Sequence, residues 1–171
     1  MSYPIDGKAW WGETYDIFKA WLDSNTVRDQ FESDPGVYPG RPHESQYYDF
    51  ESEAPGSNFD GTYSITFGGL TQPMERFVNP GTDVFFSVVI KFGVEFGVAN
   101  PNTGNTIYDP VTKMENISWL AMNAHKDTSW WNASNGIVDI MCANISPFRL
   151  HQSSNKYATI DITYNVHLQL P

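Results

Sequence analysis

The sequence predicts an α+β fold: a mainly antiparallel β-sheet with a long strand or hairpin and two helices packed on it. Three observations lead there. Two stretches, 84–98 and 159–170, alternate apolar and polar residues with hardly a break, the pattern of strands with one buried face. Two others, 8–22 and 109–125, repeat their apolar residues at helical spacing. The order of these segments shows no regular strand–helix–strand alternation, which points away from a parallel α/β sheet and towards an antiparallel one. At 171 residues the chain suits a single domain, divided into an N-terminal helical part (8–32), an acidic loop (34–60) and a sheet-plus-helix body (61–171).

The first helix places Trp11, Tyr15, Phe18 and Leu22 on one face, widened by Trp10 and Trp21. Asp6 suits the N-cap, and Glu13 and Asp16 lie towards the positive end of the helix dipole. Asp23–Thr26 reads as a break, and Val27–Glu32 as one or two further turns stopped by Asp34-Pro35-Gly36. Residues 34–60 read as a loop punctuated by proline and glycine, with a short strand somewhere in 46–51. A loop of this length carries function or is disordered, and its aromatics favour docking.

Tyr63, Ile65 and Phe67 alternate with Ser64, Thr66 and Gly68 as a strand, followed by turns at Gly68-Gly69, Gln72-Pro73 and Asn79-Pro80-Gly81. In 84–98, every residue from Val84 to Val98 on the even parity is apolar. Fifteen extended residues would span roughly 50 Å, so the strand bends at a bulge, with Gly93 and Gly97 the expected sites, or projects from the body. Asp109-Pro110 is an N-cap and first-turn pair opening a helix to about His125, with Met114, Ile117, Leu120, Ala121 and Ala124 inward and Trp119 and Met122 to the side. Strands follow at 137–142 and 145–151, then a turn at 153–156 and the last strand. That strand puts Ile160, Ile162, Tyr164, Val166, Leu168 and Leu170 on one face, and Asp161, Asn165, His167 and Gln169 on the other. A slip of one residue would expose all six apolar groups, so its register is tightly specified.

The formal charge is −10, and residues 1–60 hold twelve acids against four Lys and Arg. Such a chain is poorly suited to gripping nucleic acid, which is held mainly by Lys and Arg on phosphates. The start lacks the basic and apolar regions of a signal peptide, and no apolar run reaches membrane-spanning length. Asn116-Ile-Ser and Asn132-Ala-Ser then read as chance sequons. The one cysteine, Cys142, lies in an apolar run and reads as a buried, inert thiol. No histidine spacing matches a metal set, and there is no Gly-x-Ser-x-Gly, no phosphate-binding loop and no dinucleotide fingerprint. Neither catalysis nor a cofactor is expected. Glu51-Ser-Glu53 is the densest carboxylate pair, and a solvated loop is its default reading.

The surplus lies in adjacent aromatic pairs: Trp10-Trp11, Tyr47-Tyr48 and Trp130-Trp131. Neighbours on a helix or strand point to different faces, so one of each pair is expected outside the core, where Trp and Tyr serve partner contacts. Exposed Trp and Tyr also suit a carbohydrate-binding β-module.

In layout the chain resembles the phage tail terminator (tail-completion) family. The likeness rests on the amphipathic helix Lys8–Leu22, the strands Tyr63–Phe67 and Val84–Val98, the Gly/Asn loop after them, the helix Asp109–His125, and the closing strands from Ile137 to Leu170. The resemblance implies a homo-oligomeric ring, usually a hexamer, in the phage virion. It caps the tail tube, joins it to the head connector or stopper proteins, and lets genomic DNA pass without specific binding. A closing ring needs a heterologous interface. Phe85 and Val89 on the odd face of the long strand, with Tyr47, Tyr48, Trp130 and Trp131, are the candidate subunit or partner contacts. Glu44, Asp49, Glu51 and Glu53 are the candidate channel-facing acids, since a negative lumen repels DNA. Other virion roles, in the tail tube, stopper or capsid decoration, are the alternatives nearest to this one.

Overall fold

A computed structural model describes residues 10–31, 42–44, 61–70, 83–97, 104, 106, 108–132, 136–152 and 156–169. Its strands are β1 (Pro42–Glu44), β2 (Gly61–Leu70), β3 (Asp83–Glu95), β4 (Ile137–Ile145), β5 (Arg149–Gln152) and β6 (Lys156–Gln169). Its helices are α1 (Trp10–Leu22), α2 (Asn25–Arg28), a 3-10 turn at Asp29–Phe31, and α3 (Pro110–Ala124). The expected α+β architecture is present. The strands form one sheet in the order β1-β2-β3-β6-β4, with β5 continuing the β4 edge alongside β6. All pairings are antiparallel except β1 with β2, which is parallel.

The two alternating stretches are partners. β3 and β6 pair without a break from Asp83↔Gln169 to Glu95↔Tyr157. Directly opposed residues point to the same side. One side therefore carries Phe86 with Val166, Val88 with Tyr164, Ile90 with Ile162 and Phe92 with Ile160, all buried. Both long helices cover this side. Trp11 of α1 packs on Phe67 and Phe86 at 5.4 and 6.2 Å between ring centres, and Phe18 packs on Tyr164 at 5.5 Å. From α3, Met114, Ile117 and Ala121 are buried, and the Ala121 carbonyl accepts the Tyr164 hydroxyl at 2.9 Å.

Several boundaries differ from the sequence reading. β3 stops at Glu95, and the chain bends at Gly97, whose φ of 72° ends the strand; Gly93 stays in register opposite Thr62 and Thr159, so it makes no bulge. The bulge is on β2, between Phe67 and Gly69, where a turn was expected. A side chain on Gly68 would collide with the Ser87 hydroxyl unless that group shifted, and Gly69 has φ 116°, a conformation that other residues rarely adopt. Within the acidic loop a strand forms at Pro42–Glu44, while the expected strand at 46–51 lies outside the described residues, as does Asp6. The strand expected at 145–151 is split at Ser146–Phe148. There the Ser146 N–H donates to the Asp161 carbonyl and its hydroxyl accepts from the Asp161 N–H, at 2.8 and 2.9 Å, so β6 keeps partners across the gap.

The cap of α3 is as read. One Asp109 carboxylate oxygen accepts the N–H groups of Val111 and Thr112 at 3.1 Å, and the other accepts the Thr112 hydroxyl at 2.7 Å. The Thr112 hydroxyl first, and then its backbone N–H, hold the Asp109 carboxyl below the usual aspartate range. A carboxylate lowered in the folded state stabilises above its unfolded pKa, and that contribution is lost as pH falls through the folded value. Asp109→Ala is therefore expected to lower the denaturant midpoint at neutral pH, with the gap to wild type closing once acid has protonated the cap. A gap independent of pH would mean the carboxylate charge has no part in the cap.

Candidate interaction surfaces

The odd-parity side of the sheet carries no described helix. At one end of it Ser64 and Thr159 are buried; towards β4 the surface opens. Phe85 stacks on His167 across the β3–β6 pair, 4.2 Å between ring centres and 15° between planes. His167 Nε2 lies 2.8 Å from the carboxylate of Asp83, whose side chain is nearly buried. The pair locks the imidazole flat against the phenyl ring. Beside them, β4 places Asp139 opposite His167 and Met141 opposite Asn165, and Met141 is 52% exposed. Val89 is half-buried between Thr66 and Thr163, and the Thr66 hydroxyl donates to the Val89 carbonyl at 3.4 Å. Phe85 and Val89 thus share one surface, stiffened by the central ladder.

Trp130 and Trp131 are placed differently from expectation. Trp130 stacks on Trp21 at 4.8 Å and 21°, meets Phe18 edge-on at 5.2 Å, and donates its indole N–H to the Ala124 carbonyl at 2.9 Å. Trp131 is buried, with no partner for its indole nitrogen among the described residues. Trp130 is half-buried and fastens the end of α3 to α1, and Trp131 is buried in the core, so packing is the role observed for the pair. Alternation does not apply to them, because they sit in irregular chain where two neighbours can turn inward together. Tyr47, Tyr48, Asp49, Glu51 and Glu53 lie outside the described residues; Glu44 ends β1, and its side chain lies outside them too.

The outer surface of α3 was missed as a contact. Tyr108 is 86% exposed and Trp119 68%, with Val111 and Met122 also exposed. On a helix of 3.6 residues per turn, Val111, Glu115, Trp119 and Met122 fall within about 80° of one another. The spacing was readable as a second apolar stripe, distinct from Met114, Ile117 and Ala121. A third exposed group is Phe148 and Leu150, flanking Arg149 on the split edge. Contiguous exposed apolar residues of this kind mark contact sites.

No three His, Cys, Asp or Glu among the described residues gather as a metal site. Burial pushes the Cys142 thiol and, more strongly, the Tyr164 hydroxyl up from their usual values, so neither is ionised at neutral pH. Cys142 is half-buried, a little more open than expected. No described helix is long and apolar enough to cross a membrane. What this arrangement offers is surface. No protein family matches the sequence, and no curated protein is significantly similar to it.

Proposed function

We propose that the chain is a structural protein of a phage virion: a ring, hexameric by the family resemblance, that caps the tail tube and joins it to the head connector. The observation that carries this reading is the division of the sheet into a face closed by α1 and α3 and a second face bearing the Phe85–His167 stack, Val89 and Met141. A rigid, half-apolar sheet face suits contact with an axial neighbour such as the tail tube. The layout of helix, long strand pair, helix and closing strands supports the same reading. The charge of −10 suits a channel through which DNA passes without sticking. A sugar-binding module, the reading from a different class, would use exposed Trp and Tyr; Trp130 and Trp131 pack inward and favour it little, whereas Tyr108 and Trp119 are exposed.

Purified protein is expected to appear as closed rings by native mass spectrometry and negative stain, and to co-sediment with tail tubes. Phe85→Asp and Val89→Asp put a carboxylate on the open face. Each is expected to leave folding and rings intact while abolishing co-sedimentation. A wild-type protein that stays monomeric at high concentration and low salt ends the ring reading. If both variants still sediment with tubes, the sheet face is not the axial contact.

A further inference from the structure

We infer that the outer ridge of α3 and the β5 edge are the two halves of one head-to-tail contact between copies of this chain. The inference rests on the ring-forming reading and names the seam that closes it. The ridge combines Val111, Trp119 and Met122 with an exposed carboxylate, Glu115. Of the lysines on this helix and just after it, Lys113 reaches back to the Gln30 carbonyl at 3.0 Å, and Lys126 donates to Asn123 at 2.9 Å. The edge carries exposed Phe148 beside an exposed guanidinium, Arg149; Leu150, opposite Ala158, is exposed on the helix-bearing side of the sheet, and Arg149, opposite Thr159, is on the other. One patch is apolar and acidic, the other apolar and basic.

Charge decides how two copies meet. Ridge on ridge brings Glu115 towards Glu115, and edge on edge brings Arg149 towards Arg149. Ridge on edge joins opposite charges and buries Trp119 against Phe148. Two different patches of one chain make a heterologous contact, the kind that propagates around a ring. The contact is made by side chains rather than by adding a strand. The β4–β5 edge is broken at Ser146–Phe148 and bulged between Ile137 and Asp139 and between Cys142 and Asn144, which blunts it for pairing with another strand.

The test is a charge exchange, read by native mass spectrometry and sedimentation at low salt on wild type, Glu115→Arg, Arg149→Glu and the double variant. Both charged positions, Glu115 and Arg149, are on exposed side chains, so circular dichroism melts should coincide with wild type. Each single variant is expected to weaken assembly by about tenfold or more, and the double variant to recover most of the loss. Trp119→Asp, which removes the apolar anchor, is expected to leave monomer. Wild-type rings with both single variants assembling normally would place the seam elsewhere and leave the ring reading standing. Single variants that fail without recovery in the double would rule out the pairing of Glu115 with Arg149. A wild type that forms only closed dimers would overturn the head-to-tail contact, and one that never assembles would overturn the ring reading itself.

Discussion

Phe18→Ala is expected to destabilise the fold by about 3–5 kcal/mol, the range for truncating a buried phenylalanine. Phe18 is fully buried at the point where three segments meet. Its ring touches Tyr164 of β6 at 5.5 Å and Trp130 of the loop after α3 at 5.2 Å. Large aromatic neighbours held by their own contacts cannot collapse into the space, so the lost transfer energy is joined by a cavity term. Urea denaturation measures the change, and the slope of the transition should stay as in wild type, since the exposed area on unfolding barely changes. A loss under about 1 kcal/mol would mean α1 re-docks freely, and the aromatic junction is not what fixes it.

Trp130→Ala is the second large effect, at roughly 3 kcal/mol. Two contributions combine. The stack on Trp21 disappears, and the Ala124 carbonyl loses the indole donor it has at 2.9 Å. Carbonyls in the last turn of a helix lack partners within the helix; that of Ala124 accepts the Asp127 N–H at 3.1 Å as well as the indole, which ties the end of α3 to the ring packed on α1. Trp130→Phe keeps a ring and drops the donor, and is expected to cost about 1 kcal/mol from the lost hydrogen bond plus a smaller packing loss. Because Trp130 and Phe18 touch, the double alanine variant should lose less than the two single losses added together. Strict additivity would show that the two rings act on separate parts of the core.

Much of the fold was legible because periodicity reports burial directly. β6 alternates almost perfectly, and its even residues from Ala158 to Leu168 are buried in turn. Asp109-Pro110 opened a helix because an aspartate can accept the first free N–H groups and a proline has none to lose. What escaped was set by tertiary contact. β1 is three residues long and exists by pairing with β2, so it leaves no pattern of its own. The gap at Ser146–Phe148 depends on Ser146 standing in for a ladder residue of β6, which no local rule announces. The surfaces divided in the same way. Phe85 and Val89 could be placed on the odd face from parity alone. Trp130 and Trp131 could not be placed, because irregular chain has no period. The α3 ridge was visible as spacing but was passed over, because Trp119 and Met122 were read only as lying beside the core stripe.

The place of β6 in the sheet governs when the protein can fold during its own synthesis. β6 lies between β3 on one side and β4 and β5 on the other, and β3 and β4 do not pair with each other. Until residues 156–169 have been made, β3 has only β2 beside it among the described strands, and its long apolar row has no strand partner on the other flank. The sheet closes when residues 156–169 thread into the middle. Folding is thus held back until nearly the whole described chain has emerged, and the contacts that then form join residues far apart in sequence, which makes closure slow. Chains released early keep the apolar rows of β3 and β4 open to water, an exposure that chaperones and proteases act on.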